Sequence, residues 1–338
     1  MISRRALCGG LAALALPRPA LAGSAPEITR LRYQGGAGRV MFPELAEDLG
    51  YLAPIRLEWV GNTISGPQDI QALVTDDVDI GGAFNGSILK MIAYGAPAVA
   101  VIGTGGSDAL SSSKLCVMSN HPVRTAADLR GRTIGLNALG AQSEFSLNRY
   151  LHNGGQGDVD TAGITLVPLP PVALEGALRM GRIDAAMFPA PLQDIAMARG
   201  GLQEVFSEYD LFGDLMMNAL AMRRSFVAQH PATARLFVGA MARAIEWARV
   251  TPRATVIARF KSIVRRRGRN ENLMPLDYWK STSVGQPGGV LQPTDFSIFR
   301  DWFVRNGEPR LAEVNLTQIY SNSFNPYAAR TPLPSDPE

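Results

Sequence analysis

The same short pattern occurs twice in this sequence, about a hundred residues apart. In residues 72–84 and again in residues 177–188, an Ala-Leu pair is followed by four residues, by Val-Asp or Ile-Asp, and by small and apolar residues that close on phenylalanine. Each copy has the order expected for a helix end, a tight polar turn and a buried strand. Two such copies predict two similar α/β lobes.

The N-terminus reads as an export signal. Ser3-Arg4-Arg5 is followed by an apolar run from Leu7 to Leu16, about half of what spans a bilayer, and by the small-x-small sequence Ala20-Leu21-Ala22. We therefore predict that residues 1–22 are a cleaved signal peptide and that the protein is periplasmic. The arginine pair also hints at twin-arginine export.

Composition excludes several classes of function. The 338 residues are 46% hydrophobic, with 33 basic and 30 acidic side chains. The signal peptide carries three arginines and no acid, so the mature chain is close to neutral and no nucleic-acid partner is expected. Only Cys116 of the two cysteines remains after cleavage. This excludes a disulfide framework and a thiolate cluster, and the sequence predicts neither metal nor cofactor.

Strand and helix patterns alternate along most of the chain, which predicts mostly parallel sheets covered by helices. A polar break near residue 106 and a strand-like return at Met217–Met222 divide the pattern. We expect lobe one in residues 23–106, lobe two in 107–216, a return to lobe one with C-terminal helices in 217–325, and a flexible tail in 326–338.

Three segments carry a family resemblance. They are Gly181-Arg182-Ile183-Asp184-Ala185 in the second repeat, Ala127–Gly135 with the sequence ADLRGRTIG, and Phe226–Pro231 with the sequence FVAQHP. In this order, over roughly residues 28–250, the chain resembles solute-binding proteins of transporters for nitrate, sulfonates, taurine and related compounds.

The resemblance implies an α/β fold of the two-lobed type II periplasmic binding protein class, with two hinge crossovers and a ligand cleft between the lobes. It also implies a small-molecule ligand and the transmembrane subunits of an ABC permease as partners, and we expect a monomer. Many members have an aromatic-Asp-Pro segment after the second repeat, where this chain has Phe188-Pro189-Ala190-Pro191. The missing acid disfavours a ligand with an ammonium group, such as taurine.

Ligands of open α/β sheets bind at the carboxyl ends of the strands, and helix N-termini there favour anions. The turns in these positions are small, neutral and aromatic. The residues predicted to line the cleft are Gln34, Gly35, Arg39, Asn62, Ser65, Phe84, Asn85, Gly86, Asn137, Gly140, Ala141, Gln142, Phe188 and Pro189.

Two hypotheses concern specific roles. Phe84 and Phe188 would close on opposite sides of an organic ligand, while Gln34, Asn85 and Asn137 would orient it. Both rings could instead be core residues, since this is the common position of a Phe at a strand end.

Other residues also have two readings. Arg39 could pair with a ligand anion or be solvated at a helix start, and the glycines from Gly35 onward could form only a tight turn. Trp59 is expected to be packed, and Asp79 and Asp184 to cap turns rather than catalyse.

The sequence thus predicts a non-enzymatic binding protein for an organic anion or an aromatic or heterocyclic compound. Two alternatives remain open: an enzyme of the same fold that acts on a small aromatic metabolite, and a ligand sensor that signals to a membrane receptor.

Overall fold

The computed structural model describes residues 25–330, so the predicted signal peptide lies outside the described residues. Lobe one begins with alternating strands and helices. Their bounds are β1 Arg30–Gly35, α1 Phe42–Asp48, β2 Arg56–Asn62, α2 Gly66–Val74, β3 Gly81–Phe84, α3 Asn85–Ala93 and β4 Ala98–Ser107.

Lobe two repeats the alternation with its own sheet. Its elements are β5 Lys114–Met118, β6 Thr133–Leu136, α4 Gln142–Asn153, β7 Thr165–Pro168, α5 Leu174–Arg179, β8 Ala185–Phe188, α6 Leu192–Ala198 and β9 Leu202–Ser207. The chain then returns to lobe one and continues as helices. These elements are α7 Glu208–Phe212, β10 Leu215–Arg223, α8 Arg224–Gln229, α9 Pro231–Val250, α10 Arg253–Arg267, α11 Met274–Asp277 and α12 Thr294–Arg305.

Lobe two contains one five-stranded sheet, whereas the strands of lobe one form a two-stranded and a three-stranded sheet. In lobe two the strand order is β7-β6-β8-β5-β9, with β6 parallel to β7 and β8 and with β5 antiparallel to its neighbours. In lobe one β1 pairs in parallel with β2, and β10 lies antiparallel between β3 and β4. The chain passes between the lobes in residues 108–113 and 208–214. The predicted return at Met217–Met222 is part of β10 within lobe one, so the second crossover lies before it.

The first half of each repeat folds identically. Asp79 N–H donates to Arg32 O at 2.9 Å, and Asp184 N–H donates to Thr133 O at 2.8 Å. Each carboxylate accepts the amide of that same partner at 2.8 Å. Asp79 therefore links β1 to the start of β3, and Asp184 links β6 to the start of β8. Both aspartates have a structural role, although they tie two strands together where the prediction had them cap turns.

A single hydrophobic core joins lobe one, β10 and the C-terminal helices, whereas lobe two has a core on each face of its sheet. Tyr327 packs against the lobe-one core beside Gly288, so residues 326–330 of the predicted tail belong to the folded body. Among residues 25–330, no helix has the length and apolar content needed to cross a membrane.

Candidate functional site

The two lobes meet where strands of both sheets end. Asn218 Nδ2 on β10 donates to Gln142 Oε1, at the start of α4 in lobe two, at 3.2 Å. The Phe84 and Phe145 rings, at the end of β3 and on α4, have centroids 6.0 Å apart. A further link is the ion pair between Lys280 and Asp194 of α6 at 2.8 Å. The predicted positions Phe84 and Gln142 therefore lie at the junction of the lobes.

Arg39 lies on the glycine-rich turn after β1. Its side chain is exposed, and it makes no ion pair within the part of the chain that the structure describes. The side chain folds back over Gly36, where an added Cβ would lie 3.0 Å from Arg39 Cδ and closer still to Nε. The glycine therefore leaves room for a guanidinium group, in a turn predicted to present backbone amides.

A second guanidinium lies over the preceding glycine and was missed from the sequence. A Cβ at Gly35 would lie 3.1 Å from Arg269 Nη1, 3.2 Å from Asn62 Oδ1 and 3.3 Å from Trp59 Cδ1. Arg269 stacks on the Trp59 ring at 3.9 Å. Its position more than 200 residues downstream gives no local signal that it returns to β1.

Two acids and one arginine hold this turn in place. Glu271 Oε2 accepts the Gly38 amide at 2.6 Å. Arg267 pairs with Glu44 at 2.7 Å and donates to Arg39 O at 2.7 Å. Because these charges bond to one another and to the backbone, they stabilise the turn. Arg39 and Arg269 form no salt bridge with the described residues, although the Asp69 and Glu44 carboxylates lie close enough to act on the charge of Arg39.

Two polar side chains of lobe one also belong to this region. Gln34 was predicted to orient the ligand, whereas Asp69 was not predicted from the sequence. Gln34 Oε1 is buried and has no hydrogen-bond partner among the described residues. Asp69 on α2 is 3% exposed, and its Oδ2 accepts the Gly82 amide at 2.7 Å. Burial raises the pKa of Asp69 to about 6, against the opposing effects of this hydrogen bond and of Arg39.

Asn85 and Gly86 have structural roles, contrary to the prediction. Asn85 is fully buried, and its amide donates to Met216 O and Asp295 O, both at 3.1 Å. A Cβ at Gly86 would lie 3.0 Å from Phe84 Cζ and closer still to Cε1. Asn85 therefore anchors α3 to β10 and α12, and Gly86 makes room for a ring.

The proposed two-ring clamp is not formed. Phe188 is 1% exposed in a core cluster of lobe two, so solvent does not reach its ring. Phe84 is 4% exposed and packs edge-on against Phe299 at 4.5 Å. The backbone of Pro189 is engaged as well, since its carbonyl accepts the amide of Gln193 at 3.1 Å.

The lobe-two turn from Asn137 to Gln142 is neutral. Asn137 is half-buried, Gly140 donates to Glu144 at 2.8 Å, and Ala141 precedes α4. Gln142 Nε2 lies 2.9 Å from Glu208 Oε2, so its amide is occupied on both sides.

The remaining lobe-one positions lie on the turn after β2. Asn62 Oδ1 accepts the Trp59 indole N–H at 3.1 Å, and the Ser65 amide donates to Thr63 Oγ1 at 3.3 Å. Trp59 is 42% exposed, so the expectation that it is packed was wrong. Its stack with Arg269 explains how a strand residue stays ordered at the surface.

Comparison with known proteins agrees with this architecture. Residues 64–261, more than half of the sequence, match the NMT1-like family. The chain belongs to the NMT1-like family. Over 189 residues it is 28% identical to a protein of Escherichia coli (strain K12) described as an aliphatic sulfonates-binding protein, which covers 56% of this chain. Over 217 residues it is 24% identical to the riboflavin-binding protein RibY of Chloroflexus aurantiacus, covering 62% of this chain.

The chain covers only 57% and 60% of these two relatives' lengths.

Solved structures extend the similarity of fold. The periplasmic nitrate-binding protein NrtA of Synechocystis PCC 6803 superposes with a TM-score of 0.70 at 15% identity, over 91% of this chain and 90% of that one. The desulfurization enzyme DSZB gives 0.60 at 18% identity, over 88% and 97%. This protein therefore has the predicted type II periplasmic binding protein fold.

Proposed function

We propose that this protein is the solute-binding component of an ABC importer and that it captures a small organic anion between its lobes. The observation that carries the proposal is the Arg39 guanidinium, which makes no salt bridge with the described residues and lies on the glycine-rich turn after β1 in a protein of two lobes. An anion there gains charge-assisted hydrogen bonds. Closure of the lobes around it would present the bound form to a permease.

Export to the periplasm by the predicted signal peptide is part of this proposal, because a solute-binding component works outside the cytoplasmic membrane. The relatives named for sulfonate, nitrate and riboflavin binding support a small-molecule ligand.

The similarity to DSZB, which has also been solved as a mutant in complex with biphenyl-2-sulfinic acid, favours a second candidate, an enzyme acting on a small aromatic metabolite. The chemistry of the described residues supports it less. Cys116 is fully buried, and burial raises the pKa of its thiol to about 12, which makes it a poor nucleophile. Within residues 25–330, no three His, Cys, Asp or Glu side chains are grouped to hold a metal ion.

A thermal-shift panel separates these functions. The panel contains ethanesulfonate, benzenesulfonate, benzoate, nitrate, riboflavin and a pyrimidine thiamine precursor. A ligand at a hundred times its Kd stabilises the native state by about 2.7 kcal/mol, which raises Tm by several degrees. We expect an organic anion to do so and mass spectrometry to recover it unchanged. Catalytic accumulation of product would establish the enzyme, and the absence of any anion effect would contradict the binding proposal.

A further inference from the structure

The stack of Arg269 on Trp59 differs from a second tryptophan–arginine stack in the same molecule. Arg259 lies 5.2 Å from the Trp247 ring and pairs with Asp48 at 2.7 Å, so its charge is neutralised within the protein. Arg269 makes no ion pair with any residue that the structure describes, and its Nη1 is buried without a hydrogen-bond partner. A buried donor left in this state costs about 1–3 kcal/mol unless a ligand satisfies it.

The surroundings of this stack suit a flat anionic group. Trp59 is 42% exposed although it lies on a strand, and Asn62 fixes the indole by its N–H at 3.1 Å. The contacts of Arg269 are the Trp59 ring and the Tyr33 hydroxyl, at 3.4 Å from Nη2. The exposed indole thus offers an apolar surface directly beside an unneutralised cation.

Arg269 and Arg39 both lie against the turn after β1. Gly35 and Gly36 are adjacent in the chain, and each supports one of the two guanidinium groups. With consecutive Cα atoms 3.8 Å apart, the groups lie within about 12 Å of each other. This is within the span of a substituted aromatic ring system.

We propose that Trp59 and Arg269 form a subsite for the ring of an aryl carboxylate or aryl sulfonate, which makes this protein selective for aromatic over alkyl anions. The ring stacks on the indole, and the anionic group bonds Arg269 or Arg39. This inference rests on the proposed function, because it specifies the class of ligand taken by the same cleft.

The test compares naphthalene-2-sulfonate and benzenesulfonate with ethanesulfonate by titration calorimetry. In the unaltered protein we expect at least one aryl sulfonate to bind about tenfold more tightly than ethanesulfonate. Trp59→Ala should weaken aryl binding about tenfold and change ethanesulfonate binding less than twofold. Arg269→Gln should also weaken aryl binding, and Trp247→Phe, the matched control, should leave it unchanged. Quenching of tryptophan fluorescence by the aryl probe should disappear in Trp59→Phe and persist in Trp247→Phe.

Equal affinities for aryl and alkyl sulfonates, or aryl affinity unchanged in Trp59→Ala, would overturn the inference. If aryl binding survives in Trp59→Ala but is lost in Arg39→Ala, only the subsite is wrong and the binding function stands. If neither these sulfonates nor benzoate nor any other anion of the thermal-shift panel binds the unaltered protein, both the subsite and the proposed function fail. Melting temperatures of all variants show whether a loss of binding reflects a loss of folding.

Discussion

The repeat ends with Asp79 to Phe84 in lobe one and with Asp184 to Phe188 in lobe two. The aspartates make the same two hydrogen bonds, but the phenylalanines differ. Phe188 packs within its own lobe, whereas Phe84 reaches the cluster around Phe145 of the other lobe. The turns beyond them differ more, because lobe one presents Arg39 and lobe two presents neutral residues. The repeat thus specifies the scaffold, and the ligand-binding residues that we propose lie outside it.

The largest effects concern the two phenylalanines. Phe84→Ala and Phe188→Ala should each lower the free energy of unfolding by about 3–5 kcal/mol, because both rings are buried. Only Phe84→Ala should speed amide hydrogen exchange in α4, since Phe145 on that helix loses a contact. A Phe188→Ala protein that kept its stability but lost ligand affinity would restore the two-ring clamp.

Buried carboxyls also differ between the regions. The Glu208 carboxylate, in the second crossover, accepts hydrogen bonds from Ser113, Gln142 and Ser146. The Asp295 carboxylate on α12 accepts one hydrogen bond among the described residues, from the Gln292 amide. Burial raises the pKa of Asp295 from 3.8 to about 7, partly opposed by that hydrogen bond. The unfolded state therefore releases this proton at lower pH than the native state, and stability falls as pH rises from 4 to 7.

The pH-dependent contribution of Asp295 to the free energy of unfolding amounts to about 4 kcal/mol. We expect Asp295→Asn to remove it, so that urea unfolding at pH 4 and at pH 8 gives more similar free energies than in the unaltered protein. An equal pH dependence in both proteins would contradict the assignment to Asp295.

The repeated aspartates should differ in their contribution to stability. The Asp79 side chain is 9% exposed and pairs with Arg32 at 2.7 Å and Arg223 at 3.2 Å, whereas that of Asp184 is 32% exposed. Burial alone would raise the pKa of Asp79, but hydrogen bonds from Arg32 outweigh it and lower the pKa. Urea unfolding should show a loss of about 3 kcal/mol for Asp79→Ala and about 1 kcal/mol for Asp184→Ala. Equal losses would show that the arginines add nothing.

The smallest effect concerns the turn before each aspartate. Gly181 and Asp76 occupy matching positions, and both have φ of +67°. Gly181→Ala should cost about 1 kcal/mol, because a side chain disfavours this conformation. Asp76→Gly should change stability by less than about 0.5 kcal/mol, because relief of backbone strain offsets the loss of exposed ion pairs with Arg32 and Arg223. Thermal unfolding of the two variants measures this difference.

Sequence patterns predicted the lobes, the crossovers and the repeated aspartates because these depend on local periodicity and on short segments. Arg39 and the glycine turn were proposed from the same kind of local pattern. They could not identify Arg269 or the exposure of Trp59, because both depend on a C-terminal segment that folds back onto β1. Asn85 was misassigned because a strand-end amide can face either a cleft or a neighbouring helix, and α12 decides between them only in the folded protein.

The central claim is that Arg39 of lobe one supplies the charge that binds the ligand. Titration calorimetry should use the organic anion that raises Tm most, with Arg39→Ala compared with Arg30→Ala, which removes the same charge from the opposite end of β1. Loss of a charged hydrogen-bonding partner costs 2 kcal/mol or more, so we predict at least about thirtyfold weaker binding for Arg39→Ala and an unchanged Kd for Arg30→Ala. Equal affinities in the two variants would contradict the account.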